Sequence, residues 1–408
     1  MSSSTKAVTP ARRSARARRG LSLFVLTLLS VEFLDELVFG VREAAWPLIR
    51  DDLRLSYTQV GVLLSVPPIV GHFVEPALGV LGDVWRRRAL VLAGGVAFAA
   101  GTLLVGASAG FGMLLAASIL SNPASGAFVG LSQATLMDAA PERREQNMAR
   151  WALAGSVGNS VGPLAVGACV WAGVSWRWGF IWAGALMLAA VAFAWRQPFE
   201  TPSASDVRTR AALLGGLREA LRALRRGGVL RWLVLLQLGD FTYDVLRGFL
   251  ALYFVDVVGA GEGGAALAVA VWTWVGLAGD FAVVPLLERV RGMSYLRVST
   301  AAVALLFPAL LLAEGFATKL ALLGLLGLAN AGWYAVLSAK LYEEFPGRSG
   351  MVMTVGNVYG LAGAFVPLAL GAFAESYGLT PMMWLLAAGP FALLAGLYAV
   401  KEGTKVEE

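Results

Sequence analysis

Glu32, Asp35 and Glu36 stand at i, i+3 and i+4 inside an apolar run that begins near residue 22. That spacing puts three carboxylates on one face of a helix. Asp240, Asp244 and Arg247 form a second polar face in a later apolar run, and His72 lies three residues before Glu75 in a third. Carboxylates and an imidazole crowded into a poorly solvated site titrate nearer neutral pH than in water, so they can load and release protons. Ionisable groups among apolar helices are costly unless they face water or a partner, which makes each a candidate for function. The proton-coupling candidates are therefore Asp35, Asp240, Glu32, Glu36, Asp244, Glu75 and His72, with Asp35 and Asp240 foremost. Arg42 and Arg247 can pair with Glu43 and Asp244. The bland alternative is a set of static pairs, Asp35–Arg42 and Asp244–Arg247, that only hold helices together. For His72 the alternative is a satisfied polar spot between helices, and for Glu75 a gate element beside Pro76.

Other side chains suit the wall of a solute cavity. Gln133, Asn122 and Asn330 are uncharged hydrogen-bonding groups within apolar runs, and Trp333, Tyr334, Phe241 and Tyr243 are aromatics away from run ends. Aromatic walls beside carboxylates suit cationic or amphipathic organic molecules, whereas Arg42 and Arg247 suit an anion, so the charge of the solute stays open. Asp280 follows Gly279 and faces either a cavity or a neighbouring helix. Lys340 and Asp138 close their runs and read as gate residues.

Composition says what must position these groups. Hydrophobic residues make up 58% of 408 residues and charged residues 15%, against about 25% charged in a soluble chain. Mean hydropathy is +0.69. One water-soluble core cannot bury that much apolar surface, so a bilayer covers it. Cys169 is the one cysteine and His72 the one histidine. An internal disulfide is thereby excluded, a cysteine- or histidine-based metal site is not expected, and no cofactor is expected.

Roughly twelve apolar stretches are long enough to cross a membrane at about 20 residues each. They run over 22–46, 57–80, 89–108, 111–138, 150–173, 178–195, 229–254, 265–287, 295–313, 318–340, 350–373 and 381–400. All read as helices, because an isolated strand leaves its backbone unsatisfied in lipid. Arginine clusters in alternate loops: the amino-terminal tail, 82–88, 140–149, the 196–228 linker, Arg289 and Arg291, and Arg348, with Lys401 and Lys405 at the end. The positive-inside rule places those loops and both termini in the cytoplasm, with the chain in the cell membrane. The same bias accounts for the net charge of +6 without a nucleic-acid partner. The tail at 1–20 is rich in Ser, Arg and Ala and reads as disordered. It does not read as a cleaved signal, because the apolar run after it continues into Glu32 and Asp35.

The chain also repeats itself. Gly162-Pro163-Leu164-Ala165-Val166-Gly167 returns as Val366-Pro367-Leu368-Ala369-Leu370-Gly371 about 204 residues later, and Arg144 as Arg348. One step off that register, Asp35 matches Asp240 and Arg42 matches Arg247. Half the chain length separates the copies, so the fold expected is an all-α membrane protein of twelve transmembrane helices in two pseudo-symmetric six-helix bundles. The boundaries are 21–196 for the first bundle, 197–228 for a linker with an amphipathic surface helix at 211–226, 229–400 for the second bundle and 401–408 for a cytoplasmic tail.

Two motifs carry a resemblance. Gly79-Val80-Leu81-Gly82-Asp83-Val84-Trp85-Arg86-Arg87-Arg88 resembles the loop signature of the major facilitator superfamily, Gly-x-Leu-x-Asp-Arg-x-Gly-Arg-Arg. Gly79, Leu81, Asp83, Arg87 and Arg88 match, while Val84 and Arg86 depart. Glu288-Arg289-Val290-Arg291-Gly292 is a weaker echo. Gly158, Gly162, Pro163 and Gly167 match the antiporter signature of the same superfamily, with Val166 departing. Glycines four apart permit tight helix packing and a proline bends the helix, which any polytopic protein can use. Within the superfamily the pattern is similar to bacterial drug-efflux carriers of the fosmidomycin-resistance kind. The resemblance implies the major facilitator fold, helices 1 and 7 lining a central cavity, and gating roles for Asp83, Arg87, Gly79, Gly158, Gly162 and Pro163. It implies a monomeric carrier that exports a small organic molecule by alternating access, driven by the proton gradient. The nearest rival is a proton-coupled importer or lipid or lysolipid transporter on the same scaffold. A channel or a membrane enzyme is disfavoured, because no reactive constellation or phosphate-cradling loop is present.

Overall fold

The computed structural model describes residues 22–84, 87–139, 144–197, 222–345, 355–356 and 359–399. Most of the linker and of the helix expected at 211–226 lies outside that set. The described chain forms twelve helical spans and, among the described residues, no strand. The first six are α1 (Leu23–Leu53), α2 (Tyr57–Val84), α3 (Arg87–Gly106), α4 (Phe111–Ala139), α5 (Arg144–Trp171) and α6 (Arg177–Trp195). The second six are α7 (Gly227 to Asp256), α8 (Gly261–Leu287), α9 (Gly292–Leu312), α10 (Phe316–Glu343), α11 (Tyr359–Tyr377) and α12 (Leu379–Ala399). An even number of spans puts both termini at one end of the bundle, called here the tail end. The other is the far end.

Ten of these helices are long and apolar enough to cross a membrane. The two that fall short among the described residues are α1 and α7, which carry the acidic faces. Their cost is met by protein and cavity rather than lipid: in α1, Val31, Leu34, Leu37, Gly40 and Val41 form the buried stripe, while Glu32, Asp35 and Glu36 lie on the half-buried face beside it. α1 also runs past its expected end at 46, since Arg50, Asp51 and Asp52 continue the helix beyond its apolar part. It starts on Ser22, whose Oγ accepts from Val25 N–H at 3.3 Å, and stops where Arg54 turns left-handed at φ 52°.

Four spans are irregular: α11 turns at 364–365 and restarts at Val366, and the other three are α4, α7 and α10. α4 and α7 each contain a five-residue π-helical segment, Gly126–Gly130 and Phe241–Val245. Such segments concentrate at functional sites because they re-aim side chains. α10 is expected to be continuous over 318–340 but breaks between Asn330 and Trp333, where Gly332 has φ +72°. The apolar run hides the break, which depends on one glycine and its neighbours.

The two halves touch through α2 and α11, α5 and α8, and α1 and α7. One apolar cluster crosses between them through Trp46 and Ile49 of α1 and through α7, where Leu246–Phe254 is buried on every side. Towards the tail end, the second half keeps its own cluster of Val229, Trp232, Leu296, Trp333, Leu337 and Leu397, and the first half a small one of Leu28, Leu136 and Trp151. Among the described residues, the core is therefore shared at the far end and divided at the tail end.

Candidate functional site

The glycines of α5 set the first wall of the site. A Cβ on Gly162 would lie 2.5 Å from Gly40 C and Val41 N in α1, and one on Gly158 would strike Phe33 O. In lipid there is little hydrophobic drive between helices, so this backbone-to-backbone approach is what holds α1 against α5. Gly155 continues the stripe: its missing side chain leaves room for Glu32, whose Oε1 would sit 2.5 Å from a Cβ there. The motif therefore fixes the face from which Glu32 and Glu36 project.

A chain of polar groups then crosses the molecule. Asn159 Nδ2 of α5 donates to Glu36 Oε2 at 2.7 Å. Its own Oδ1 accepts from Arg247 Nη2 of α7 at 3.0 Å. Arg247 is ion-paired with Glu43 of α1, and both side chains are buried. The guanidinium also lies 4.7 Å from the Phe39 ring centre and 5.7 Å from that of Tyr243. The guanidinium of Arg42, its repeat mate, lies 4.8 Å from the same Phe39 ring centre, and Arg42 keeps a buried Nε without a hydrogen-bond partner. A buried pair of this kind contributes little net stability when intact, but losing one partner strands a charge and costs about 3–5 kcal/mol.

Beside this chain lies a cavity of about 210 Å³. Glu32 and Glu36 face it from α1, Gly155, Ser156, Asn159 and Ser160 from α5, Tyr243 and Arg247 from α7, and Thr273, Leu277 and Asp280 from α8. Trp274 Nε1 donates to Ser160 O at 3.0 Å and ties α8 to α5 along one side.

The far end is closed. Arg50 of α1 is ion-paired with Asp256 of α7, and Tyr57 Oη donates to the same carboxylate at 2.7 Å. Tyr57 N–H donates to Glu375 Oε2 of α11 at 2.7 Å. Leu368 N–H, left without an intrahelical acceptor by the restart of α11 at Val366, donates to Ser65 Oγ at 2.9 Å. Gly61 and Gly371 bring α2 and α11 into backbone contact, since a Cβ on Gly371 would lie 2.5 Å from Tyr57 O.

Comparison with known proteins decides the family. The sequence matches the profile of the Major Facilitator Superfamily over residues 28–365. The chain belongs to the Major Facilitator Superfamily. This major facilitator protein is 32% identical over 148 residues to an uncharacterized MFS-type transporter of Mycobacterium tuberculosis, a match covering 36% of this chain and 25% of the relative. The chain thus spans about a quarter of the length of that relative. Its fold is similar to a bacterial homolog of the human lysosomal transporter Spinster in an inward-facing and occupied conformation, with a TM-score of 0.73, 14% identity and 93% and 97% of the two chains covered. It is equally similar to a D-xylose-proton symporter, with a TM-score of 0.73, 16% identity and 94% and 99% covered. The chain accordingly has the multi-pass membrane fold of that superfamily.

The superfamily fold brings only part of the expected set together. Glu32, Glu36, Arg247 and Tyr243 meet at the cavity. Asp35 does not: it accepts from Ser125 Oγ of α4 at 2.7 Å, inside the first half. Asp240 is half-buried and is also not among the lining residues. The physical reason is angular, because Asp35 is turned from Glu32 and Glu36 towards α4, and the π segment after Asp240 rotates the rest of α7. Arg247 takes Glu43 of the other half as its partner, in place of the expected Asp244, which is exposed.

The aromatic expectations divide. Trp333 is buried in the second-half core with Nε1 donating to Ser299 Oγ at 2.9 Å, and Phe241 packs against Gly389 of α12, so neither lines the cavity. Tyr334 is 67% exposed. Gln133 points to Met148 Sδ within its own half at 3.7 Å, and Asn330 is buried with Nδ2 unpartnered. Glu75 lies against Gly126 of the α4 π segment, and His72 faces Gly360 of α11. Arg87 is buried and pairs with Asp138 at 2.7 Å, joining α3 to α4 at the tail end. Pro163 packs beside Gly40. The surroundings of Gly79 and the side chain of Asp83 lie outside what the structure describes.

Sequence reasoning missed Asn159, Ser160 and Thr273, and the far-end set of Arg50, Tyr57, Asp256 and Glu375. A signal existed for one of these: Asp256 stands at the 205-residue offset from Asp51, the register that joins Asp35 to Asp240.

Proposed function

We propose that this carrier exports a small organic cation in exchange for protons, with Glu32 and Glu36 as the exchanging groups. The supporting observation is the charge balance of the cavity. Three carboxylates, Glu32, Glu36 and Asp280, face it, while Arg247 is the guanidinium among its lining residues and is already engaged by Glu43. The surplus of acid favours a cation or bound protons in a low-dielectric site. Tyr243 adds an aromatic face. Glu36 reaches Arg247 through Asn159, so a change of charge at Glu36 is felt in the pair that joins α1 to α7. Protons and cation compete for the same carboxylates, which is the simplest physical basis for exchange. Asp35, held by Ser125, is a reserve polar group of the first half in this reading.

The arginine-rich loops support a cytoplasmic tail end. With the far end closed, this state then receives solute from inside. The glycine stripe of α5 matches the antiporter motif and supports exchange over symport.

Proteoliposomes with an acidic interior and tetraethylammonium outside test this reading. Accumulation should follow the pH gradient, collapse with a protonophore, and be lost in Glu36→Gln. Solute entering together with protons would indicate symport, and flux that ignores the pH gradient would remove the coupling role.

A further inference from the structure

Asp280, expected to face either a cavity or a neighbouring helix, does both. Its Oδ1 accepts from Gly332 N–H at 2.9 Å, and Gly332 is the residue at which α10 breaks. Two backbone groups at the break are taken up by side chains. Asp280 satisfies the Gly332 N–H, and Tyr295 Oη of α9 donates to Ala331 O at 2.7 Å. In lipid an unsatisfied backbone group costs several kcal/mol, so the break persists because these two side chains hold it. Gly332 is required there twice over. Its φ is +72°, and a Cβ would lie 2.7 Å from Val283 Cγ1 of α8. On its other side Asp280 lines the cavity.

Resting on the reading of the cavity as a cation site, we propose that Asp280 is a joint between solute and helix: it positions the tail-end segment Trp333–Glu343 according to what occupies the cavity. One carboxylate oxygen is committed to Gly332, and the second remains for a cation in the cavity. A carboxylate has lone pairs enough for both, so a bound cation draws on the same group that fixes the restart of α10. The segment after the break packs through Trp333 and Leu337 into the second-half tail-end cluster, which is separate from the core shared between the halves. A shift at Gly332 is therefore transmitted to the tail end without disturbing the far-end closure. The repeat supports a designed feature: at the 205-residue offset Asp280 corresponds to Glu75, which presses on Gly126 at the start of the α4 π segment. In each half an acid on the second helix meets the irregular point of the fourth.

Two variants separate the duties. Asp280→Asn keeps an oxygen for Gly332 N–H but presents no charge to the cavity, whereas Asp280→Ala loses both. A cysteine replacing Ser338, which is on the segment, reports its exposure by maleimide labelling in a Cys169→Ser background. In Asp280→Ala the labelling rate should change about threefold or more, as local opening of the segment requires. In Asp280→Asn it should stay near native while tetraethylammonium flux is lost. Native labelling in Asp280→Ala overturns the joint. Native flux in Asp280→Asn overturns the solute contact. If the unsubstituted protein carries no tetraethylammonium, the cation reading fails, and the labelling of Asp280→Ala still decides whether the joint exists.

Discussion

Two of the three seams between the halves, α2–α11 and α5–α8, are equivalents under the repeat. In α2–α11, Gly61 and Gly371 let the backbones touch, and Leu368 N–H crosses to Ser65. In α5–α8, Gly167, the mate of Gly371, would place a Cβ 3.9 Å from Ala266, an ordinary contact with space to spare. The second seam is held instead by Trp274 donating to Ser160 O, and the cavity opens beside it. The difference shows how one repeated pattern serves two ends. Small residues in backbone contact close a seam without needing a hydrophobic drive, whereas side chains standing between the helices leave room for solute.

That contrast can be broken in a graded series. The largest effect is expected from Arg247→Met, which strands Glu43 between the halves and should cost about 3–5 kcal/mol, read as a lowered melting temperature in detergent. The double variant with Glu43→Leu should recover much of it, and failure to recover would mean that the pair does not act as a unit. Next, Gly371→Val overpacks the tight seam and should cost about 1–3 kcal/mol. It should also raise maleimide labelling of a cysteine replacing Ser56 at the far end. Arg50→Gln removes one partner from a mostly shielded far-end pair and should cost about 1 kcal/mol, with a smaller rise in the same labelling. Gly167→Ala, at the looser seam, should stay within about 0.5 kcal/mol. Equal sensitivity at Gly167 and Gly371 would erase the distinction.

Much of this architecture is legible in the residues. Apolar periodicity gives twelve spans, and the repeat pairs Arg42 with Arg247 and Gly167 with Gly371. The glycine spacing of α5 marks a close helix contact. What the sequence does not carry is rotation. Asp35 and Glu36 are adjacent, yet one turns to Ser125 of α4 and the other to Asn159 of α5, because neighbours on a helix differ by about 100°. The π segments of α4 and α7 shift the faces again, with no composition signal to announce them. The break in α10 hides in an unbroken apolar run, since it rests on one glycine and on two distant side chains, Asp280 and Tyr295, that meet its backbone. Asn159 stands next to Gly158 of the glycine stripe, but its role depends on Arg247 arriving from the other half.

The most direct test concerns which end the acidic cavity faces. A cysteine replacing Ala152, which lines the cavity, in a Cys169→Ser background can be offered a membrane-impermeant maleimide from either side of sealed vesicles. Labelling from the tail side should exceed that from the far side about tenfold, a bias of about 1.4 kcal/mol towards the far-end-closed state. Equal labelling from both sides, or faster labelling from the far side, would contradict the account.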